Sequence, residues 1–370
     1  MYFVTFIVAC AILFAWADDH KTIIGGFYLS FWLLTISMSL RYGYGNDYFS
    51  YMRIFNEISA SPSFRIACDQ SGMEVGWVLI TRLLSPLGYQ SQIFVTSFVS
   101  YSIFYYLIYK YVPRPYRWVG LMIFLLNDSL FLLNLSMLRQ GLASSLFFLS
   151  VSLALEDKRI KSILVCLLGC LFHSSALIGF PFLLLIFARK MINPFIVLLG
   201  GVMIGVVLFL NTGFNEYLFS FILGSEGIGD MYGKYVTNSL DGFSLGLGVL
   251  IQYVSILPAL LYFKHLKEQD KYFVILYLIV LLLIPLAANT LMLLRMVSYF
   301  LPFAVILFPR LYDKHQISLE KSLEGKNKKR FLTMSRVSLA LYLVYVSYSY
   351  YSFFSSETYG FAYKKFQFCF

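Results

Sequence analysis

The chain has 370 residues, 59% of them hydrophobic and only 13% charged, with a formal net charge of +10 at pH 7 and a mean hydropathy of +0.73. Soluble domains carry about 25% charged residues, so the composition excludes a water-solvated globular protein and leaves no room for a separate soluble domain. Such a positive charge would point to nucleic acid in a soluble domain, but here it lies in short segments between apolar runs. It reads as the positive-inside bias of a membrane protein, with no nucleic-acid partner.

The apolar runs fall at 2–17, 22–40, 91–110, 118–135, 140–155, 162–187, 194–211, 243–263, 272–288, 296–309 and 337–354. They are long and do not alternate, which predicts helices rather than a barrel. Run 2–17 lacks a basic leader and a clear cleavage site, so it reads as a retained span. The segments at 113–117 (PRPYR), 156–161 (EDKRIK), 188–193 (ARKMIN), 264–271 (KHLKEQDK) and 310–336 are basic and should face the cytoplasm.

Both flanks of 162–187 then lie on one side, so this segment should enter and leave there. It is expected to form a short hairpin turning at His173-Ser174-Ser175; one overlong span is the alternative. The predicted fold is an all-α polytopic membrane protein of about twelve membrane segments, both termini outside, forming one integral domain over 1–370. An amphipathic outer loop covers 41–90 and a basic cytoplasmic loop covers 310–336. Outside, this leaves only Arg41, Arg53, Arg65, Arg82, Arg139, Lys234, Arg295, Lys364 and Lys365.

Four places on the outer face carry polar chemistry. In "RYGYGNDYFSYMRIF", two glycines allow a turn before a helix with Tyr48, Tyr51 and Phe55 at helical spacing; Asp47 is either its N-cap or a reactive carboxylate. Farther along, Glu74 precedes the amphipathic "VGWVLITRLL", either as a helix-start carboxylate or as part of a site. In "NLSMLRQGLASSLFF", Arg139 and Gln140 open a helix of small residues. An interfacial arginine could simply snorkel, but a guanidinium at a helix start suits phosphate oxygens. The third place is the His-Ser-Ser turn, and the fourth is "ANTLMLLRMVSYFLPF", where Arg295 begins a span.

An acid, a histidine and several arginines at headgroup level suit a lipid-linked pyrophosphate substrate. There is no P-loop, nucleophile elbow, HExxH or acidic metal cluster. Cys10, Cys68, Cys166, Cys170 and Cys369 form no disulfide framework, and Cys166 and Cys170, at i, i+4, read as packing. Neither metal nor cofactor is expected.

Taken in order, "RYGYGNDYFSYMRIF", "MEVGWVLI", "LRQGLASSLFF", "KRIKSILVCLLGCLFHSSALIGFPF" and, more loosely, "LRMVSYFLPF" resemble the EpsG-like branch of the Wzy polysaccharide polymerases. The resemblance covers about residues 40 to 310 and implies a GT-C-like helical bundle in the bacterial inner membrane. Such enzymes join undecaprenyl-pyrophosphate-linked oligosaccharide repeats into O-antigen, capsule or exopolysaccharide at the periplasmic face. It places Arg41, Asp47, Glu74, Arg139, Gln140 and His173 at motif positions, with Arg295 a looser match.

The expected site has His173 or Asp47 as general base, with His173 favoured because an imidazole titrates near neutral pH without help. Arg139, Arg295 and Arg41 would face the pyrophosphate, and Gln140, Glu74 and Tyr48 the rest of the substrate. A chain-length regulator and a flippase of the same pathway are the expected partners. A ligase using the same donor, a flippase, or a membrane acyltransferase are the competing readings. The near absence of charge within the runs and the lack of repeats argue against a transporter.

Overall fold

The structure is a computed structural model that describes residues 1–210, 247–287, 291–312, 326–355, 363 and 366–369. Regular structure among them is helical apart from one two-stranded ladder. In chain order come α1 (Tyr2–Asp19), α2 (Gly26–Ser39), the short strand β1 (Arg41–Tyr42), α3 (Tyr48–Ala60), α4 (Phe64–Ser71), α5 (Val75–Leu84), α6 (Tyr89–Tyr111), α7 (Arg117–Leu126) and α8 (Leu132–Ser136). Then follow α9 (Leu138–Leu155), α10 (Arg159–Phe172), a 3-10 turn (Ser174–Ile178), α11 (Gly179–Phe187), α12 (Pro194–Leu210), α13 (Leu247–Leu261), α14 (Glu268–Ala287), α15 (Leu291–Phe300), α16 (Phe303–Tyr312), α17 (Lys326–Phe353) and β2 (Gln367–Phe368).

The chain is a multi-span helical membrane protein. Among the described residues, four helices are long and apolar enough to cross a bilayer, at 2–19, 89–111, 138–155 and 327–353, and shorter apolar helices pack around them. The expected count of about twelve segments is thus not met by full-length helices in these residues. Two of the expected runs are broken. Run 118–135 stops at Asn127, whose side chain accepts from the Leu130 amide, and restarts at Leu132. Run 296–309 breaks before Phe303, because Pro302 cannot continue α15. Lys234, Lys364, Lys365 and residues 313–325 of the basic loop lie outside the described residues, as do the ends of the expected runs at 211, 243–246 and 288.

Helix α9 is the core element, packed against α6, α10, α11 and α15. Its small residues allow that approach, and two of its serines return their hydroxyls to the helix, Ser145 to Leu142 O and Ser150 to Phe147 O. Eighteen residues of helix span about 27 Å, close to the roughly 30 Å of a hydrocarbon core. Charged groups collect at both of its ends. Beyond Leu155, Lys110 and Lys158 pair with Glu156, and Arg189 pairs with Asp157 at 2.9 Å.

The segment 162–187 is a hairpin. Helix α10 rises to Phe172, the chain turns at His173, and α11 returns, so that Arg159 at the start of α10 donates to Phe187 O at the end of α11 (3.2 Å). Arg189 just beyond it reaches Ala154 O at 2.7 Å, at the end of α9. The two basic flanks therefore lie together and His173 lies at the opposite end, as their charge predicted.

Helices α3, α4 and α5 occupy the 41–90 region and close over the ends of α6, α9 and α10. Their apolar faces form a second small core of Tyr48, Phe55, Ile58, Ala67, Trp77 and Val78, joined by Tyr89, Ile93 and Leu138. The C-terminal tail also reaches this end: β2 pairs antiparallel with β1, Arg41 opposite Phe368. Cys369 N donates to Leu40 O at 3.0 Å, while Phe366 and Phe368 pack on Phe3.

Candidate functional site

Glu74 is the hub at the α3–α5 end of the bundle. It precedes α5, and its carboxylate meets three groups from two other elements. Arg139 Nη1, at the start of α9, donates to Oε2. His173 Nδ1 lies 3.0 Å from Oε1, which also accepts from the Ser174 amide at 3.0 Å. The carboxylate is held at about 2, against an ordinary 4.5: burial pushes it up, but the His173 hydrogen bond, the Arg139 charge and the Ser174 amide outweigh that. The three side chains keep a small exposed fraction, 19% for Glu74 and Arg139 and 13% for His173, so the cluster is largely but not wholly buried.

The glycine of "MEVGW" explains how Glu74 arrives there. A Cβ on Gly76 would sit 2.6 Å from Leu171 O and 2.9 Å from Leu171 Cβ, so only glycine lets α5 lie this close to the end of α10. Arg139 is steered by Tyr51, whose hydroxyl accepts from Nε at 3.3 Å and whose ring lies 5.8 Å from the guanidinium carbon. Trp77 backs that ring at 5.5 Å.

A second pair stands beside this one. The Asp47 amide donates to Ser136 Oγ at 2.9 Å, which ties the start of α3 to the end of α8. Gly45 makes the approach possible, with φ +107 and a Cβ position 3.2 Å from the Ser136 Cα. Burial raises the Asp47 carboxyl, with Ser136, Arg295 and Arg139 pulling it back only partly. The charges of Arg295 and Arg139 thus both act on Asp47. Gln140 Nε2 donates to Arg295 O at 2.9 Å and to Ser298 Oγ at 2.7 Å.

The structure thus brings together Asp47, Glu74, Arg139, His173 and Arg295, with Gln140 buried behind Arg295. Two expected residues lie elsewhere. Arg41 is fully buried and its guanidinium donates to Met38 O and, at 2.9 Å, to Leu135 O. Tyr48, at the start of α3, is directed to α6 instead, with its hydroxyl on Gln90 Oε1 at 3.4 Å and its ring against Tyr89. Tyr51, one helical turn along, is the tyrosine that reaches the site. Ser136, Ser298 and Tyr299 carried no signal in the sequence, since a serine or tyrosine in an apolar run reads as packing. Among the described residues no cluster of three His, Cys, Asp or Glu is arranged to hold a metal.

The class these observations define is a multi-span helical membrane protein with two arginines, two carboxylates and a histidine gathered at one end of the bundle. The chain belongs to the EpsG family, whose description matches residues 26–368. That membership supports, in general terms, an enzyme of glycosyl transfer in polysaccharide polymerisation. No curated protein matches the chain, and no solved structure does.

Proposed function

We propose that this protein polymerises oligosaccharide repeats carried on a lipid pyrophosphate, undecaprenyl pyrophosphate in a bacterial inner membrane, with the Glu74 end facing outward. The observation that carries the reading is the Glu74 carboxylate shared by His173 and Arg139. A carboxylate on Nδ1 favours the tautomer with its proton there, leaving Nε2 to accept one. His173 is then an oriented general base, and Arg139 is a cation held at its side.

In this mechanism an acceptor-sugar hydroxyl attacks the anomeric carbon of the donor chain and passes its proton to His173 Nε2. The bond from that carbon to the pyrophosphate oxygen breaks, and the lipid pyrophosphate leaves with the electron pair. Arg139 and Arg295 meet the charge growing on it. Asp47, with its raised carboxyl, is the second candidate base. The burial of Arg41 on two carbonyls supports a role in holding the 41–47 turn rather than in contacting substrate. A flippase delivering the repeat and a chain-length regulator are the partners this reading calls for.

The test uses His173→Ala and Arg139→Ala in a polymerase-null strain, with expression verified, alongside purified protein and lipid-linked repeat. Loss of the saccharide ladder in both variants is the expected result, and normal long-chain polymer from both overturns the assignment. With purified wild type, transfer to a different acceptor would instead indicate a ligase, vectorial movement without bond formation a transporter, and an acylated sugar an acyltransferase.

A further inference from the structure

The adjacent residues Arg139 and Gln140 are turned by the helix into different neighbours. Arg139 goes to Glu74 and Tyr51, while Gln140, 3% exposed, faces α15. There the amide nitrogen has two acceptors, Arg295 O at 2.9 Å and Ser298 Oγ at 2.7 Å. Ser298 Oγ also donates to Arg295 O at 2.6 Å, so one carbonyl takes two hydrogen bonds. One turn farther along α9, Ser144 Oγ donates to Ser298 O at 2.9 Å. The next residue on α15, Tyr299, has its hydroxyl 2.8 Å from Ser175 Oγ in the turn after His173. Helix α15 is therefore fastened at consecutive residues to the helix carrying Arg139 and to the turn carrying His173.

We infer that Gln140 is a positioning residue: it touches no substrate, and through the Arg295 carbonyl and Ser298 it sets the register of α15 so that Arg295 faces Asp47. Ser298 and Tyr299 complete the fastening. The inference rests on the reading above that Arg295 serves a pyrophosphate. Helix α15, 10 residues long and broken after Phe300, also packs on α14 and, through Tyr299 and Phe300, on Phe147 of α9 and Phe182 of α11. The polar contacts fix its register within that packing, where a turn of about 100° per residue would carry Arg295 off its present face. Side chains in apolar surroundings keep such polar contacts because the alternative is an unsatisfied buried group. The arrangement also explains an amide in this place: a lysine could satisfy these two oxygens only by burying a charge, and a glutamate carboxylate has no proton to give them.

The test is a double-mutant cycle on polymerisation of lipid-linked repeat by the purified full-length protein, comparing Gln140→Met, Arg295→Ala and the pair. Gln140→Met keeps the length of the side chain and removes its donor. If Gln140 acts through Arg295, Gln140→Met lowers kcat/KM by about tenfold in the wild type and hardly at all once Arg295 is alanine. Losses that multiply would show that Gln140 meets the substrate itself, and an unchanged Gln140→Met would show that α15 needs no such support; either overturns the inference. Should Gln140→Met fail to accumulate, Ser298→Ala replaces it in the cycle, and Ser298→Thr, which retains a hydroxyl, should restore the rate. His173→Ala and Arg139→Ala run in parallel. Full activity in those two refutes the proposed function, whereas their inactivity beside an additive Gln140 cycle refutes only the positioning role.

Discussion

Replacing Glu74 by glutamine removes one charge from the middle of the site and little else. The substituted side chain would keep the volume and an oxygen for the Ser174 amide, but it leaves Arg139 and His173 without their shared anion. In the native protein burial raises the Glu74 carboxyl, yet His173, Arg139 and the Ser174 amide together hold it at about 2 rather than 4.5. A difference of that size is worth about 3 kcal/mol. The folded value lies below the unfolded one, so the stabilisation is complete above pH 4.5 and disappears as pH falls through about 2. Glu74→Gln should therefore lower the apparent melting temperature at pH 7 by about 4 °C for a chain of this size, measured in detergent. The gap from wild type should narrow steadily as the pH drops below about 4.5. Polymerisation should fall by about 10²–10⁴-fold, since an amide that keeps its oxygen toward Ser174 N and His173 Nδ1 turns its NH2 group against the Arg139 guanidinium and carries no charge to stabilise an imidazolium. A melting gap of equal size at low and neutral pH, or a wild-type rate from Glu74→Gln, would refute the reasoning.

Gly76→Ala puts a methyl group against Leu171 O; it should push α5 off α10, cost about 1–3 kcal/mol and reduce polymerisation, with the melt and the rate as the two readouts. For Asp47, a folded carboxyl raised by burial means that ionisation destabilises the fold above that value and that the penalty fades as pH falls through it. Asp47→Asn should accordingly melt no lower than wild type at pH 7 while polymerising more slowly; a clear drop in melting temperature counts against this. At the far end of the bundle, Arg310 Nε donates to Asp270 Oδ1 at 2.6 Å and Nη1 donates to Tyr111 O at 2.7 Å, with both side chains almost fully buried. Arg310→Met or Asp270→Leu alone should destabilise by about 3–5 kcal/mol, and the two together by less than either, with no change in the pH dependence of the surviving activity.

The hairpin at 162–187 was legible because charge at its two flanks admits few solutions, and the Arg159–Phe187 contact closes it as expected. Long apolar runs were less informative about length: the breaks at Asn127 and Pro302 come from one side-chain cap and one proline, which hydropathy averages away. At the site, residue types were readable and partnerships were not. Glu74 lies 65 residues from Arg139 and 99 from His173, and no local pattern links them. Arg41 entered the expected site by its motif position, which carries no information on burial; in the fold its two terminal nitrogens donate to buried carbonyls. Tyr48 and Tyr51 share a helix and both pack into the small apolar core of α3–α5, and only the tertiary arrangement shows which hydroxyl meets Arg139.

The pairing of Arg41 with Phe368 gives the protein a particular order of assembly. The turn that carries Asp47 is made well before the strand that braces it, which lies beyond every helix described above. A nascent chain can thread the intervening helices into the bilayer while this corner still lacks its partner. A chain cut short after α17 would keep those helices but arrive at the membrane without the brace.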